Sequence, residues 1–318
     1  MNTAPSGNPP RRGLNILLLL TVGLLGLWTP LSAQDLGPHI RKIQDGIYVY
    51  VAVPNDSNCG IILTKEGVVL VDTGQNPPDS RAILAAVKKL TPLPIRYVIN
   101  TETHGDHTTG NFVFSPPAMI INAEGAKAAM QKEFVPDRME KMMKESPAIR
   151  EAAQGYRMTP PQIEYQDKLT LRVGERTIEV LRLKNVHSGA DSAVWLPQER
   201  VLFAASAVNE HRMNNLRPTV TLPDIIAAIR KMETLNPEIV IPGHGAPTTT
   251  KMFDDAEEFF GVLLDRVGKM VEEGKSLEQV KQQLRMPEFA SWGGQNRLPL
   301  FADAAYRAVK SGYTLQRD

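Results

Sequence analysis

The sequence predicts a mixed α/β fold in which two β-sheets pack face to face with helices on the outside. Three observations carry that prediction. Short β-rich runs fall into two groups, one before about residue 100 and one from Lys168 onward. Each group passes through an amphipathic helix into a further strand. Both of those last strands then run into residues able to hold a metal ion.

Taken in order, residues 47–51 and 60–63 are rich in β-branched and aromatic side chains and flank the turn-forming Pro54-Asn55-Asp56-Ser57-Asn58, so they read as a hairpin. A third run at 67–71 ends in Asp72-Thr73-Gly74 and is followed by a helical pattern at 81–90, with Ile83, Leu84 and Val87 on one face. Residues 95–100 form another buried strand that gives way to a loop at 101–110. The stretch from Ala123 to about Arg157 is helix-prone, Met-rich and charged, and no single clean apolar face runs through it. It reads as a helical insertion or flap near the site, its methionines packed against a sheet rather than reserved for substrate. The β pattern returns at 169–173, 177–183, 193–196 and 201–205. A helix at 223–235 and a strand at 238–242 then lead into Gly243-His244-Gly245. From Asp254 onward the chain is helical, with Phe259, Phe260, Leu263 and Val267 spaced for one buried face. The loop Trp292-Gly293-Gly294-Gln295-Asn296 interrupts that tail and carries no role that the sequence names.

Composition narrows the classes. At 318 residues, 42% hydrophobic and 22% charged, the chain can bury a sizeable core. A net charge of +1 gives no basic surplus for nucleic acid or an anionic membrane surface. The single cysteine, Cys59, excludes an internal disulfide framework and a Cys-rich zinc site, and its apolar neighbours make it an inert core thiol. Arg11 and Arg12 precede an apolar run at 14–28, and Pro30-Leu31-Ser32-Ala33 offers small residues before Gln34. That order is expected of a signal peptide at 1–33 cleaved after Ala33, because a run of about 15 residues falls short of the ~20 needed to span a bilayer. The mature chain is therefore expected in the periplasm or outside the cell, with no stable membrane insertion.

The residues that carry chemistry are concentrated. Glu102-Thr103-His104-Gly105-Asp106-His107 places two carboxylates and two imidazoles within six positions. Zinc accepts such nitrogen and oxygen donors when several converge at about 2.0–2.2 Å. In an extended stretch Glu102 and His104 face one side while Asp106 and His107 point apart, so one loop can serve two metals. Of the six histidines, His187 and His244 also follow strands, whereas His39 and His211 have no such setting.

These residues resemble the metallo-β-lactamase superfamily. Val71-Asp72-Thr73-Gly74, the loop from His104 to Asn111, His187 with Asp191, the run at 201–205 and Pro242-Gly243-His244-Gly245 match in order across residues 47–250. The resemblance implies an αββα sandwich, with a catalytic domain at 34–250 and a C-terminal helical extension at 251–318 packed on the same domain. It also implies one metal held by Glu102, His104 and His187 and another by Asp106, His107 and His244. Asp72 is expected beneath them, orienting a ligand imidazole. Two departures stand out. Glu102 occupies a position that is His in most members, which hardens that site and admits iron or manganese beside the expected two zinc ions. Ser206 stands where hydrolytic members often have a bridging Asp, so water or hydroxide would bridge instead.

Such a centre supplies hydroxide at neutral pH and polarises a carbonyl, with Asp106 orienting the water and accepting its proton. The expected activity is hydrolysis of a small cyclic amide or ester, β-lactams first because the chain is exported. Lactones and thioesters are alternatives on the same fold. An iron-dependent oxygenase or sulfur-oxidising enzyme, and a non-catalytic binding protein, are the rivals from other classes. The partner is a small-molecule substrate in every enzymatic reading.

Overall fold

Alternation along the strands decides the layers. Successive side chains of a strand point to opposite faces, and in this protein both faces are apolar, which requires a cover on each side. The protein was studied as a computed structural model that describes residues 1–4, 7, 35–52, 56–184 and 186–315. The apolar leader run at 14–28 and the cleavage point after Ala33 lie outside the described residues. No helix among those described is long and apolar enough to cross a membrane.

The first sheet holds, in spatial as in chain order, β1 (Ile40–Gln44), β2 (Ile47–Tyr50), β3 (Cys59–Thr64), β4 (Gly67–Val71), β5 (Ile95–Ile99), β6 (Met119–Ala123) and β7 (Ile163–Tyr165). β1 to β4 pair antiparallel, and β4 to β7 pair parallel. Helix α1 (Pro77–Leu90) crosses from β4 to β5, with Pro77 and Pro78 opening its first turn and Lys88 and Lys89 in its last. Two single-turn helices follow, α2 (Gly105–Thr108) and α3 (Asn111–Phe114), and three short helices lie between β6 and β7, namely α4 (Ala126–Glu133), α5 (Pro136–Glu145) and α6 (Pro147–Ala152).

The second sheet is built from β8 (Lys168–Val173), β9 (Arg176–Leu183), β10 (Asp191–Leu196), β11 (Val201–Phe203) and β12 (Ile239–Ile241), in the spatial order β12-β11-β10-β9-β8. Only β11 and β12 pair parallel, joined through α7 (Leu222–Glu233). The tail contributes α8 (Lys251–Glu272), α9 (Leu277–Gln283) and α10 (Leu298–Lys310).

Three apolar layers result. Ile62, Val69, Ile99 and Ile121 of the first sheet meet Ile178, Val180, Val194 and Phe203 of the second to form the core between the sheets. Their chain neighbours Ile61, Leu70, Val98 and Ile120 face the other way, onto Ile83 and Val87 of α1. Beyond the second sheet, Ala193, Trp195, Leu202 and Val240 pack on α7, α8 and α10. The order helix, sheet, sheet, helix is the predicted sandwich. Phe259 of α8 is the hub of the outermost layer, with Phe260, Phe289, Trp292 and Phe301 around it at ring separations of 5.1–5.5 Å.

Several local readings need correction. β1, β6 and β7 carry no signal strong enough to mark them as strands. β6 follows Ser115-Pro116-Pro117 and β7 has three residues; long-range pairing with β5 and β6 defines them rather than local pattern. The Met-rich stretch lacks one apolar face because it comprises three helices with separate axes. The strand expected at 201–205 stops at Phe203, where Ala205 turns into the left-handed region (φ 54°). The metal loop is not extended either: residues 105–108 form a helical turn that begins directly after His104. Asp106 and His107 do not point apart as expected: on this turn their Oδ2 and Nε2 atoms lie 3.7 Å from each other.

Candidate metal centre

The site lies where strands of both sheets end. Asp72 follows β4, Glu102 to His107 follow β5, His187 follows β9, Ser206 follows β11 and His244 follows β12. Ligand sites of α/β folds gather at the carboxyl ends of strands in this way. The predicted residues converge as two groups, Glu102 with His104 and His187, and Asp106 with His107 and His244, each with donor atoms within 4.8 Å of one another. Each group takes two donors from the loop after β5 and one from the second sheet.

Glu102 is fully buried and touches both groups. Its Oε2 lies 2.5 Å from His104 Nδ1 and 3.6 Å from His187 Nε2, while its Oε1 lies 2.9 Å from His107 Nε2. Asp106 Oδ2 lies 3.7 Å from His107 Nε2 and 3.3 Å from His244 Nε2. Ser206 Oγ donates to Glu102 Oε1 (2.5 Å) and lies 3.4 Å from His107 Nε2, so it stands between the groups.

The electrostatics call for a cation. Burial disfavours a charged His107 ring, yet Glu102, Asp72 and Asp106 hold its pKa well above the usual value. Burial likewise opposes ionised Glu102, but the charges of His107 and His187 bring its carboxyl well below the usual range. Asp106 is brought down to about 2 against its burial, chiefly by His107 and His244. Burial pushes His187 down to about 4, which leaves it a neutral donor. Glu102 Oε2 is buried without a hydrogen-bond partner despite its approach to His104, as is His187 Nδ1. A buried lone pair close to a ring nitrogen but unbonded to it is what a shared cation would satisfy. The donor set fits two divalent metal ions.

Side chains and carbonyls behind the donors fix their orientation. Asp72 Oδ2 accepts from His107 Nδ1 (2.8 Å) and Thr101 Oγ1 (2.6 Å), and its Oδ1 accepts from Thr101 N (2.8 Å). Three further residues carry site roles that the sequence did not assign them. The Asp56 carbonyl accepts from His244 Nδ1 (2.7 Å), and Asn58 Nδ2 donates to the carbonyls of Pro242 and Gly245. Asp191, read only as part of a motif, collects the backbone N–H groups of Val186, His187 and Ser188 and so shapes the turn that presents His187. A short polar loop followed by Asp is the available signal for such a turn. Asn111, the last residue of the matching loop, sits in a buried network with Thr73 and Asn100. Cys59 is buried and its thiol is pushed up by that burial, consistent with an inert core residue.

A cleft of about 700 Å³ opens over the donors, and Arg138, Arg212, Arg217 and Arg297 line it. Arg217 Nη2 lies 3.1 Å from His104 Nε2. Arg297 arrives from the C-terminal region: Gly293 pairs with Arg212, Trp292 stacks on Phe259, and Arg297 donates to the Met213 carbonyl (2.9 Å). Gly294 adopts φ 77°, and a Cβ there would fall 2.6 Å from the Met213 oxygen, so this turn requires glycine. The loop without a role in the sequence thus delivers a cation to the cleft. His211 stays at the exposed surface against Asp255. Beside the cleft, Met130, Met139, Met142 and Met158 line a cavity of about 80 Å³ that shares Gly105, Glu133 and Arg138 with it. The methionines do pack, but around a space next to the metal loop.

Residues 52–244 match the metallo-beta-lactamase superfamily, and the chain belongs to it. Its members are mostly hydrolytic enzymes. The linear primary-alkylsulfatase of Pseudomonas sp. (strain ATCC 19151) is 20% identical over 270 residues, covering 71% of this chain and 49% of that protein. The 2,4-dinitroanisole O-demethylase subunit alpha of Nocardioides sp. (strain JS1661) is 23% identical over 219 residues, covering 68% and 58%. The chain thus spans less than two thirds of either relative. Among solved structures, a stereoselective inverting sec-alkylsulfatase from Pseudomonas sp. superposes with a TM-score of 0.66 at 18% identity, covering 86% of this chain and 50% of that one. A metallo-beta-lactamase from Pontibacter korlensis gives 0.54 at 20% identity, covering 68% and 94%. These likenesses concern the fold.

Proposed function

We propose that the protein is a dinuclear metal-dependent hydrolase, with zinc the first candidate metal, acting on a small organic ester or cyclic amide that carries a negative charge. The observation that carries this reading is the pair of three-donor groups on the floor of a cleft lined by four arginines. Glu102, His104 and His187 would hold one ion and Asp106, His107 and His244 the other. Bound there, two divalent ions would polarise the scissile group and lower the pKa of water.

The chain's own residues supply the rest. Asp106 is ionised at neutral pH and reaches the cleft, so it can accept a hydrogen bond from the attacking water and orient it. Asp72 keeps a proton on His107 Nδ1 and leaves Nε2 as a donor. The arginines attract the anionic substrate and hold it in the cleft.

Sulfate monoesters are the first substrates to test, supported by the arginine-lined cleft and by the alkylsulfatase names among the relatives. β-Lactams, which carry a carboxylate, are the second, supported by Ser206 in place of a bridging Asp. Metal-loaded protein assayed against a short-chain alkyl sulfate, a chromogenic cephalosporin and a lactone separates these readings. Turnover of none of them, with iron as the only bound metal, would move the reading to the oxygenase class. The leader supports export, and a mature protein beginning at Gln34 in an extracytoplasmic fraction tests it.

A further inference from the structure

We infer that Glu102 is the carboxylate that joins the two metal sites, one oxygen to each, in a chain whose Ser206 cannot do so. This rests on the dinuclear reading above and goes beyond it, because that reading gives Glu102 to one ion only.

The two oxygens of Glu102 face different donors. Oε2 faces His104 Nδ1 and His187 Nε2, at 2.5 and 3.6 Å. Oε1 faces away from both, toward His107 Nε2 at 2.9 Å, and His107 belongs to the other group. Two donors on one zinc ion, each at about 2.0–2.2 Å and at near-tetrahedral angles, lie roughly 3.3–3.6 Å apart. The Asp106 separations within the second group, 3.7 and 3.3 Å, are close to that range, and Oε1 approaches His107 Nε2 to 2.9 Å, somewhat nearer than a shared ion would hold them. Oε1 therefore completes the set of Asp106, His107 and His244, while Oε2 completes that of His104 and His187.

Charge and space point the same way. A carboxylate with no exposure can offset a dication on either side of it, whereas on one ion alone its second oxygen would face the neighbouring cation unbonded. Ser206 Oγ donates to Oε1, the oxygen assigned to the second site, and so supports the bridge instead of making it. Room beside Ser206 is short: a Cβ on Gly243 would fall 2.7 Å from its Oγ. Glu102 and Ser206, two separate departures in sequence, form one arrangement in space, the carboxylate supplied from the first sheet's loop and the hydroxyl from the second's.

Zinc titration of the metal-free protein, with Glu102→Gln and His187→Ala compared with the parent chain, tests the bridge. An amide nitrogen has no lone pair to offer a second ion. Glu102→Gln should therefore weaken both binding steps together, each at least about tenfold, a loss in the range seen when a metal site is disturbed. His187→Ala should weaken one step only. Loss of a single step in Glu102→Gln with the other unchanged overturns the bridge. Anomalous diffraction from the zinc-loaded parent chain decides the matter without a variant: two ions, each about 2.0–2.2 Å from a different oxygen of Glu102, is the expected result. Two ions with both oxygens on one of them overturns the bridge alone. A parent chain that binds no divalent ion overturns the dinuclear reading and the bridge with it.

Discussion

Replacing Asp72 with Asn changes almost no volume and removes one charge-assisted contact. Asp72 is 3% exposed, and its two oxygens accept three hydrogen bonds, two from Thr101 and one from His107 Nδ1. The amide keeps an oxygen for Thr101 N, but its NH₂ then faces two donors. The Thr101 hydroxyl can rotate to accept. The His107 ring can accept only by moving its proton to Nε2, the nitrogen that faces Glu102 and Asp106. Either the buried bond is lost, at about 1–3 kcal/mol, or the ring gives up its metal lone pair. The expected result is a metal affinity lower by about 10–100-fold, read by competition with a chromogenic chelator, with an unchanged circular dichroism spectrum. An affinity within about twofold of the parent chain would refute the role assigned to Asp72.

Three further perturbations test other parts of the structure. Arg297→Gln should raise KM for an anionic substrate by about 10–100-fold, the worth of a charged hydrogen bond of about 1.5–3 kcal/mol, and leave kcat nearly unchanged; a fall in kcat at constant KM would contradict it. Gly110→Ala places a Cβ 2.2 Å from the Thr73 carbonyl, backbone that cannot step aside, and should cost about 1–3 kcal/mol in thermal unfolding. Phe259→Ala, at 2% exposure among four aromatic rings, should cost about 3–5 kcal/mol in denaturant unfolding; a loss below about 1 kcal/mol would mean that the C-terminal helices are not anchored there.

The donors were legible in sequence because they are local: four of six lie within residues 102–107, and the other two end strands whose apolar runs are plain. The layered fold was legible for a similar reason, since period-two apolar runs and one-faced helices declare which surfaces must be covered. What the sequence concealed is non-local. The Asp56 carbonyl that aligns His244 lies in what reads as an ordinary turn, 188 residues away. Arg297 reaches the cleft only through the pairing of Gly293 with Arg212. Glu102 and Ser206 touch although 104 positions separate them. Hydrogen bonds of this kind leave no periodicity.

The division of donors between the sheets gives the centre a mechanical meaning. Each group ties the loop after β5 to one strand end of the second sheet, His187 in one case and His244 in the other, so two bound ions would act as a pair of rivets through the seam of the sandwich. Removing them would leave the hydrophobic filling between the sheets intact but free one edge of it. Amide exchange should quicken along the ends of β9 and β12 and the loop after β5, while the far edge of the seam keeps its protection. Metal supply would then set the stiffness of that edge as well as the chemistry of the cleft.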